Sequence, residues 1–179
     1  MSDFIFAPTP PRSIAGIATT RDPAPLHAAL LTHFAVTLPT TPSTIQSGPI
    51  TWSCVSPSRF LAAADRAASL PIRLTQLLKD LAAVTDQSAM WSTYTLSGTA
   101  TRDALSRIVP IDLYPGSFPI GALACTRAAH LDVRLTRIAH DIYELAVTRS
   151  YTADLEHALD SAFHGIQTEL AAPPHHHPI

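Results

Sequence analysis

The arginines are the residues of this sequence whose chemistry, the binding of anions, is most readily assigned. Eleven arginines accompany a single lysine, Lys79. Arg127, Arg134 and Arg137 all fall in the first half of the stretch from residue 126 to residue 148. A guanidinium group binds phosphate oxygens through pairs of hydrogen bonds, so this local cluster favours an anionic partner. The formal net charge of −2 adds no general attraction to nucleic acid.

Motifs for catalysis and for metal binding are missing from the sequence. There is no phosphate-binding glycine loop, no GxSxG motif, and no HExxH or cysteine-based zinc pattern. Cys54 and Cys125 show no ligand spacing and are predicted to be reduced thiols. His157 and His164 could share one helix face, where a solvated surface is a better interpretation than a metal site. We therefore predict no catalytic residue, no metal and no cofactor, and hence no enzyme.

The stretch from residue 126 to residue 148 is predicted to position the arginine cluster. Its apolar residues recur at spacings of four, three, four and three, at Leu131, Leu135, Ile138, Ile142 and Leu145. Such spacing is typical of a helix that packs lengthwise on other helices. No glycine or proline interrupts it, so we predict one long helix.

Further helices are predicted from capping residues and leucine spacing at residues 22–38, 70–84, 101–109 and 152–170. Weaker signals indicate a helical segment at 58–68 and a single helical turn at 43–46. Alternating β-branched and aromatic residues predict a strand at 50–55, and a second strand is possible around Tyr94 and Leu96. We expect Trp52, within the first of these strands, to anchor a core.

The chain length predicts one principal domain, at residues 21–170. Residues 1–20 contain three prolines and are predicted to form an extended arm, and residues 171–179 a flexible tail. The three histidines of that tail receive no function. The N-terminus does not resemble a signal peptide and no run is long enough to span a membrane, so we predict a soluble intracellular protein.

Taken in order, these elements resemble the coat proteins of rod-shaped plant RNA viruses, the tobamovirus-like family. Asp22-Pro23 followed by Leu26 and Leu30 is similar to the start of that family's first helix. The residues that carry the rest of the resemblance are Trp52 with Pro57 and Phe60, the segment Leu70 through Leu78, and Leu131 through Leu145 followed by Ser150-Tyr151.

The resemblance implies a mainly α fold, a four-helix bundle with a small β element. It implies a capsid protein that assembles with copies of itself into a helical rod and encloses single-stranded RNA. Phosphate binding would be transferred to Arg127 and Arg134, with Arg102 and Arg107 supplied by the preceding loop. The implied location is the virion and the host cytoplasm, without a membrane partner.

Two other functional classes stay open at this point. The chain could be a helical interaction module, such as an adaptor or a chaperone, or a small helical enzyme or metal-binding bundle that uses its histidines. For each of the four arginines, surface solubility or an intramolecular salt bridge is the alternative to phosphate binding.

Overall fold

The structure is a computed structural model that describes residues 4–19 and 22–171, with the backbone alone for residues 166–171. The described residues form ten strands and four α-helices. In chain order the strands are β1 (Ile5–Pro8), β2 (Arg12–Ala18), β3 (Ser43–Ser47), β4 (Ile50–Ser56), β5 (Arg59–Asp65), β6 (Ala83–Asp86), β7 (Trp91–Ser97), β8 (Leu123–Ala128), β9 (Leu131–Ala139) and β10 (Ile142–Thr148). The helices are α1 (Ala24–Phe34), α2 (Leu70–Leu78), α3 (Thr101–Ile108) and α4 (Thr152–Ala171).

The strands pair into two antiparallel sheets. The first sheet has the order β1-β7-β10-β9-β8, and the second has the order β3-β4-β5-β2-β6. Since β1 lies in the first sheet and β2 in the second, the chain passes from one sheet to the other within its first 18 residues.

Each sheet buries one face against its own pair of helices. In the first sheet, Tyr94, Leu135 and Leu145 pack with Leu105 of α3 and Leu159 of α4. In the second, the core contains Trp52 and Phe60 from the strands, Leu26 and Leu30 from α1, and Leu70, Leu74 and Leu78 from α2. Trp52 is fully buried, as its expected role as a core anchor requires. Two hydrophobic cores therefore lie on the outer sides of the two sheets.

The predicted four-helix bundle is wrong, because strands dominate the fold. The long helix predicted at residues 126–148 is instead the last part of β8 followed by β9 and β10. Its buried apolar residues alternate with a period of two, at Val133, Leu135, Tyr143, Leu145 and Val147. The spacings of three, from Leu135 to Ile138 and from Ile142 to Leu145, join residues on opposite faces of one strand, so the supposed helical stripe mixed buried residues with the exposed Ile138.

The turn that separates β8 from β9 has no typical sequence signal. Ala129 and His130 form it with φ angles of 45° and 79°. A type I′ turn, which is common in two-residue hairpins, needs positive φ at both central residues and usually contains asparagine or glycine. Because alanine and histidine occupy these positions, the sequence did not indicate a hairpin here.

Other predictions had mixed outcomes. Helices at α3 and α4 and strands at β4 and β7 are confirmed. The helices predicted at 22–38 and 70–84 are present but shorter, since α1 ends at Phe34 and α2 at Leu78. Residues 58–68, predicted as helix, form β5 and a short 3-10 turn, while residues 43–46 belong to β3. The alanines of β5 favour a helix locally, but pairing with β2 and β4 overrides that preference.

The predicted arm at residues 1–20 contains β1 and β2, and Phe4 packs 5.2 Å from the ring of Phe163. Of the predicted tail, residues 172–179 lie outside the described part of the chain. The division into an arm, a domain and a tail stays a prediction. No helix in the described ranges is long and apolar enough to cross a membrane.

Candidate functional site

A cleft of about 1340 Å³ lies between the two sheets and could receive a ligand or a partner. Because side chains alternate along a strand, each sheet that buries one face against helices turns its other face toward the opposite sheet. Gly16, Arg59 and Leu61 line the cleft from the second sheet, and Cys125 and Arg134 line it from the first. We call this space the inter-sheet cleft.

The two sheets meet along one edge, and this junction closes one side of the space between them. Ser43 at the start of β3 forms a bridge with Ala122, immediately before β8. The backbone N–H of Thr44 donates to the carbonyl of Gly121 over 2.7 Å. Gly121 has a φ of 88°, and a Cβ there would lie 3.1 Å from the Thr44 carbonyl oxygen. This junction therefore requires glycine at position 121.

An ion pair also connects the two sheets through the space between them. Arg12 of β2 donates from Nη2 to Glu144 Oε2 of β10. Both side chains are about one-fifth exposed. The pair lines a second, smaller cavity of about 380 Å³, which shares Leu61 and Arg134 with the inter-sheet cleft.

A cluster of Arg134, Trp91 and Gln87 forms part of the wall of the inter-sheet cleft. The guanidinium carbon of Arg134 lies 4.7 Å from the centroid of the Trp91 ring. The Trp91 indole Nε1 donates to Gln87 Oε1 over 3.1 Å. A Cβ at Gly16 would lie 2.2 Å from Gln87 Nε2, so glycine leaves the room that this side chain occupies. The cluster holds one guanidinium group in a fixed position.

The charge on Arg134 reflects two opposing effects. Burial lowers the pKa of its guanidinium group, while the negative charge of Glu144 raises that pKa and partly offsets the shift. Arginine has such a high intrinsic pKa that it stays protonated in proteins. Arg134 therefore supplies a permanent positive charge and hydrogen-bond donors, and does not act as a proton-transfer group.

The structure brings together three of the four predicted arginines, Arg107, Arg127 and Arg134, which all line the inter-sheet cleft. Arg102 does not line it and lies on α3 with its Nε 3.9 Å from Asp103 Oδ1. Arg127 is 71% exposed, and its Nε lies 4.0 Å from Oδ1 of Asp132 across the β8–β9 pair. That these four arginines bind an anion stays a prediction.

Arg137, the remaining arginine of the stretch, has a structural role. It is buried and donates from Nη1 to the carbonyl of Phe118 and from Nη2 to the carbonyl of His140, over 2.9 and 2.8 Å. Those bonds satisfy the guanidinium with backbone oxygens and tie the loop before β8 to the β9–β10 turn.

Three residues of the site were missed in the sequence. Arg59 was read as part of a helical segment, and Gln87 and Trp91 lay in a Ser/Thr-rich segment without a clear pattern. Their proximity comes from pairing between distant strands, for which the local sequence carries no signal. Among the described residues, no group of three or more His, Cys, Asp or Glu side chains could hold a metal ion.

Comparison with solved structures gives clear likenesses in fold. The chain is similar to a chain of the heterotetrameric sarcosine oxidase from Corynebacterium sp. U-96 in complex with pyrrole 2-carboxylate, with a TM-score of 0.83, 24% identity, and coverage of 97% of this chain and 88% of that one. It is also similar to the glycine cleavage system aminomethyltransferase T from Bartonella henselae, with a TM-score of 0.68 and 14% identity over 90% of this chain. It spans 47% of the length of that second protein. No curated protein matches the chain.

A family model described as "Sarcosine oxidase, gamma subunit family" matches residues 18–163. This match overturns the resemblance to viral coat proteins, together with the capsid function and the helical interaction module given as its alternative. Viral RNA and capsid copies are wrong as partners, and the virion and host cytoplasm are wrong as locations. Leucine-rich segments matched a helical family because apolar spacing alone carries little family information.

The matched residues cover most of the chain and include β3 to β10 and all of α1, α2 and α3. The family's description names a subunit of an enzyme, so the prediction that the chain is no enzyme is not confirmed. The chain belongs to the sarcosine oxidase gamma subunit family.

Proposed function

We propose that this chain is a non-catalytic subunit of a multisubunit sarcosine oxidase, and that it supports the assembly of the subunits that carry out the reaction. The observation that carries this proposal is the family match over residues 18–163. The similar fold of a chain from a heterotetrameric sarcosine oxidase supports it.

The chemistry of the inter-sheet cleft supports a binding role. The described residues that line it include four arginines, whose guanidinium groups hold anions but do not exchange protons near neutral pH, while His130 lies exposed on the β8–β9 turn. General acid–base catalysis needs a group whose pKa lies close to the working pH. Arg134, held over Trp91, suits attachment and positioning better than proton transfer.

Exposed apolar side chains next to the junction of the sheets supply a candidate docking surface. Ile120 and Ile138 are 62% and 45% exposed, and both line the smaller cavity. Tyr114, on the same loop as Ile120, is 67% exposed. Contiguous apolar side chains at a surface are typical of interfaces with other proteins. We propose that Ile120 and Ile138 contact another subunit.

Co-expression tests the proposed function. The full chain carries an affinity tag and is produced with the other sarcosine oxidase subunits of its source organism. We expect these subunits to co-elute with the chain and the complex to show sarcosine-dependent oxygen consumption. The isolated chain should show none. A chain that elutes alone, or that oxidises sarcosine by itself, contradicts the proposal.

A matched pair of variants tests the docking surface. A double variant with aspartate in place of both Ile120 and Ile138 should lower the amount of the other subunits that co-elutes by at least tenfold, since two charges would be buried at the interface. Ile72→Asp is the control, because Ile72 is 65% exposed on α2, at the outer side of the second sheet. If the double variant and Ile72→Asp lose the same fraction of co-eluting subunits, the effect is not specific to the surface at Ile120 and Ile138.

A further inference from the structure

We propose that the inter-sheet cleft receives an acidic polypeptide segment of a partner subunit. This inference rests on the proposed function and adds the place and the chemistry of one contact. It concerns the cleft wall rather than the apolar surface at Ile120 and Ile138.

Charge is the first argument for an acidic occupant. Among the described residues that line the cleft, the basic side chains are Arg59, Arg107, Arg127, Arg134 and His130, and the one carboxylate is that of Asp132. The chain as a whole has a formal charge of −2. A positive cleft in a slightly acidic protein is a local feature, and it is complementary to aspartate and glutamate side chains.

The positions of the arginines show how carboxylates could be held. Arg59 begins β5 in the second sheet, while Arg127 lies near the end of β8 in the first, so they approach the cleft from opposite walls. Arg134 adds a third guanidinium, fixed in orientation by the Trp91 ring. Guanidinium groups bind carboxylates through two parallel hydrogen bonds, and a fixed orientation reduces the entropy lost on binding.

Size decides between a polypeptide segment and a small molecule. Pockets for small ligands usually measure about 300–1,000 Å³ and enclose most of the ligand. The inter-sheet cleft, at about 1340 Å³, exceeds that range and opens to solvent beside Arg127 and Asp132, which are 71% and 97% exposed. An extended segment fills such an open cleft better than a single metabolite does.

Cys125 provides a direct test, because it lines the cleft and is exposed, whereas Cys54 is fully buried. Maleimide labelling of Cys125 is measured by mass spectrometry of its peptide, in the isolated full chain and in the assembled enzyme. We expect the labelling rate to fall at least tenfold on assembly. A wild-type chain that assembles while Cys125 labels at the free rate overturns this inference and leaves the proposed function standing. A failure to assemble at all overturns the proposed function itself.

Charge reversal tests the acidic nature of the segment. Arg59→Glu combined with Arg127→Glu should restore fast labelling of Cys125 in the presence of the other subunits, with an unchanged circular dichroism spectrum. Arg66→Glu is the matched control, since Arg66 is exposed and lies outside the cleft, and its complex should keep Cys125 protected. Protection that survives the double reversal overturns an acidic occupant. If millimolar citrate fully protects Cys125 in the isolated chain, the cleft binds a small anion and the proposed polypeptide occupant is overturned.

Discussion

Arg134 of β9 lies over the ring of Trp91 of β7, with 4.7 Å between the guanidinium carbon and the ring centroid. A positive charge over an indole face is attracted by the electron density of the ring, at about 0.5–1 kcal/mol when exposed and about 2 kcal/mol when desolvated. The contact lies on the wall of the inter-sheet cleft, so the same group that stabilises the fold is available to a bound anion.

We expect a double-mutant cycle of Arg134→Met and Trp91→Leu to give a coupling free energy of about 1 kcal/mol, because Arg134 is half-buried. Urea denaturation of the four proteins measures it. Arg66→Met in place of Arg134→Met is the control, and should show no coupling to Trp91. A coupling near zero for Arg134 would mean that the ring and the guanidinium do not interact in solution.

The ion pair between Arg12 and Glu144 should contribute more than the exposed pair between Arg127 and Asp132. Glu144→Gln should lower the free energy of unfolding by about 2 kcal/mol, since it leaves two partly buried guanidinium groups without their anion. Asp132→Asn should cost less than about 0.5 kcal/mol, because both partners are exposed. Chemical denaturation checks both values, and equal losses would contradict the inter-sheet pairing.

Tyr94 should make stability depend on pH in the alkaline range. Burial, together with the hydrogen bond from its hydroxyl to Glu156 Oε1 at 2.6 Å, raises the pKa of Tyr94 to about 12 from its ordinary value of 10. The folded state therefore holds this proton more tightly than the unfolded state. Its contribution to stability is complete below pH 10 and is lost as the pH rises from 10 to 12.

Tyr94→Phe isolates that contribution. At pH 8 the variant should be less stable than the wild type by about 1 kcal/mol, because it lacks the hydrogen bond. The difference between the two proteins should shrink at pH 11, where the tyrosine of the unfolded wild type ionises. Unfolding free energies at the two pH values check this, and a difference that grows with pH would reverse the sign of the argument.

The two thiols should differ sharply in reactivity. Burial raises the pKa of Cys54, which is fully inaccessible, whereas Cys125 is exposed in the cleft wall. Reaction of the native chain with a chromogenic disulfide should release one equivalent rapidly, and the denatured chain should release two. Cys125→Ser should abolish the fast phase, while a fast phase that disappears in Cys54→Ser would contradict the burial of that residue.

Segments with strong local signals could be predicted from the sequence. The start of α1 follows Asp22-Pro23, α2 begins at Leu70-Pro71, and α3 ends shortly before Pro110. Proline fits the first turn of a helix and cannot continue one, so these boundaries depend on a few neighbouring residues. The alternation in β4 was visible for the same reason, since it lies within seven residues.

The β8–β9–β10 meander could not be predicted in this way. Ala129 and His130 adopt positive φ because the paired strands require a tight turn there, although neither is the asparagine or glycine that is usual in such a turn. The apolar residues of β9 and β10 also recur at sequence spacings of three and four residues, which fit a helix. The choice between the two structures depends on which surface covers the apolar face, and that surface comes from α3 and α4.

The sequence by itself determined where the four α-helices begin, that the arginines concentrate near residues 127–137, and that no common catalytic motif is present. Only the tertiary structure decided that Arg59, Arg127 and Arg134 share a cleft with Trp91, since these residues come from four strands in two sheets. The physical reason is that strand pairing and sheet packing join residues far apart in the chain, and their free energy comes from contacts that no local window contains.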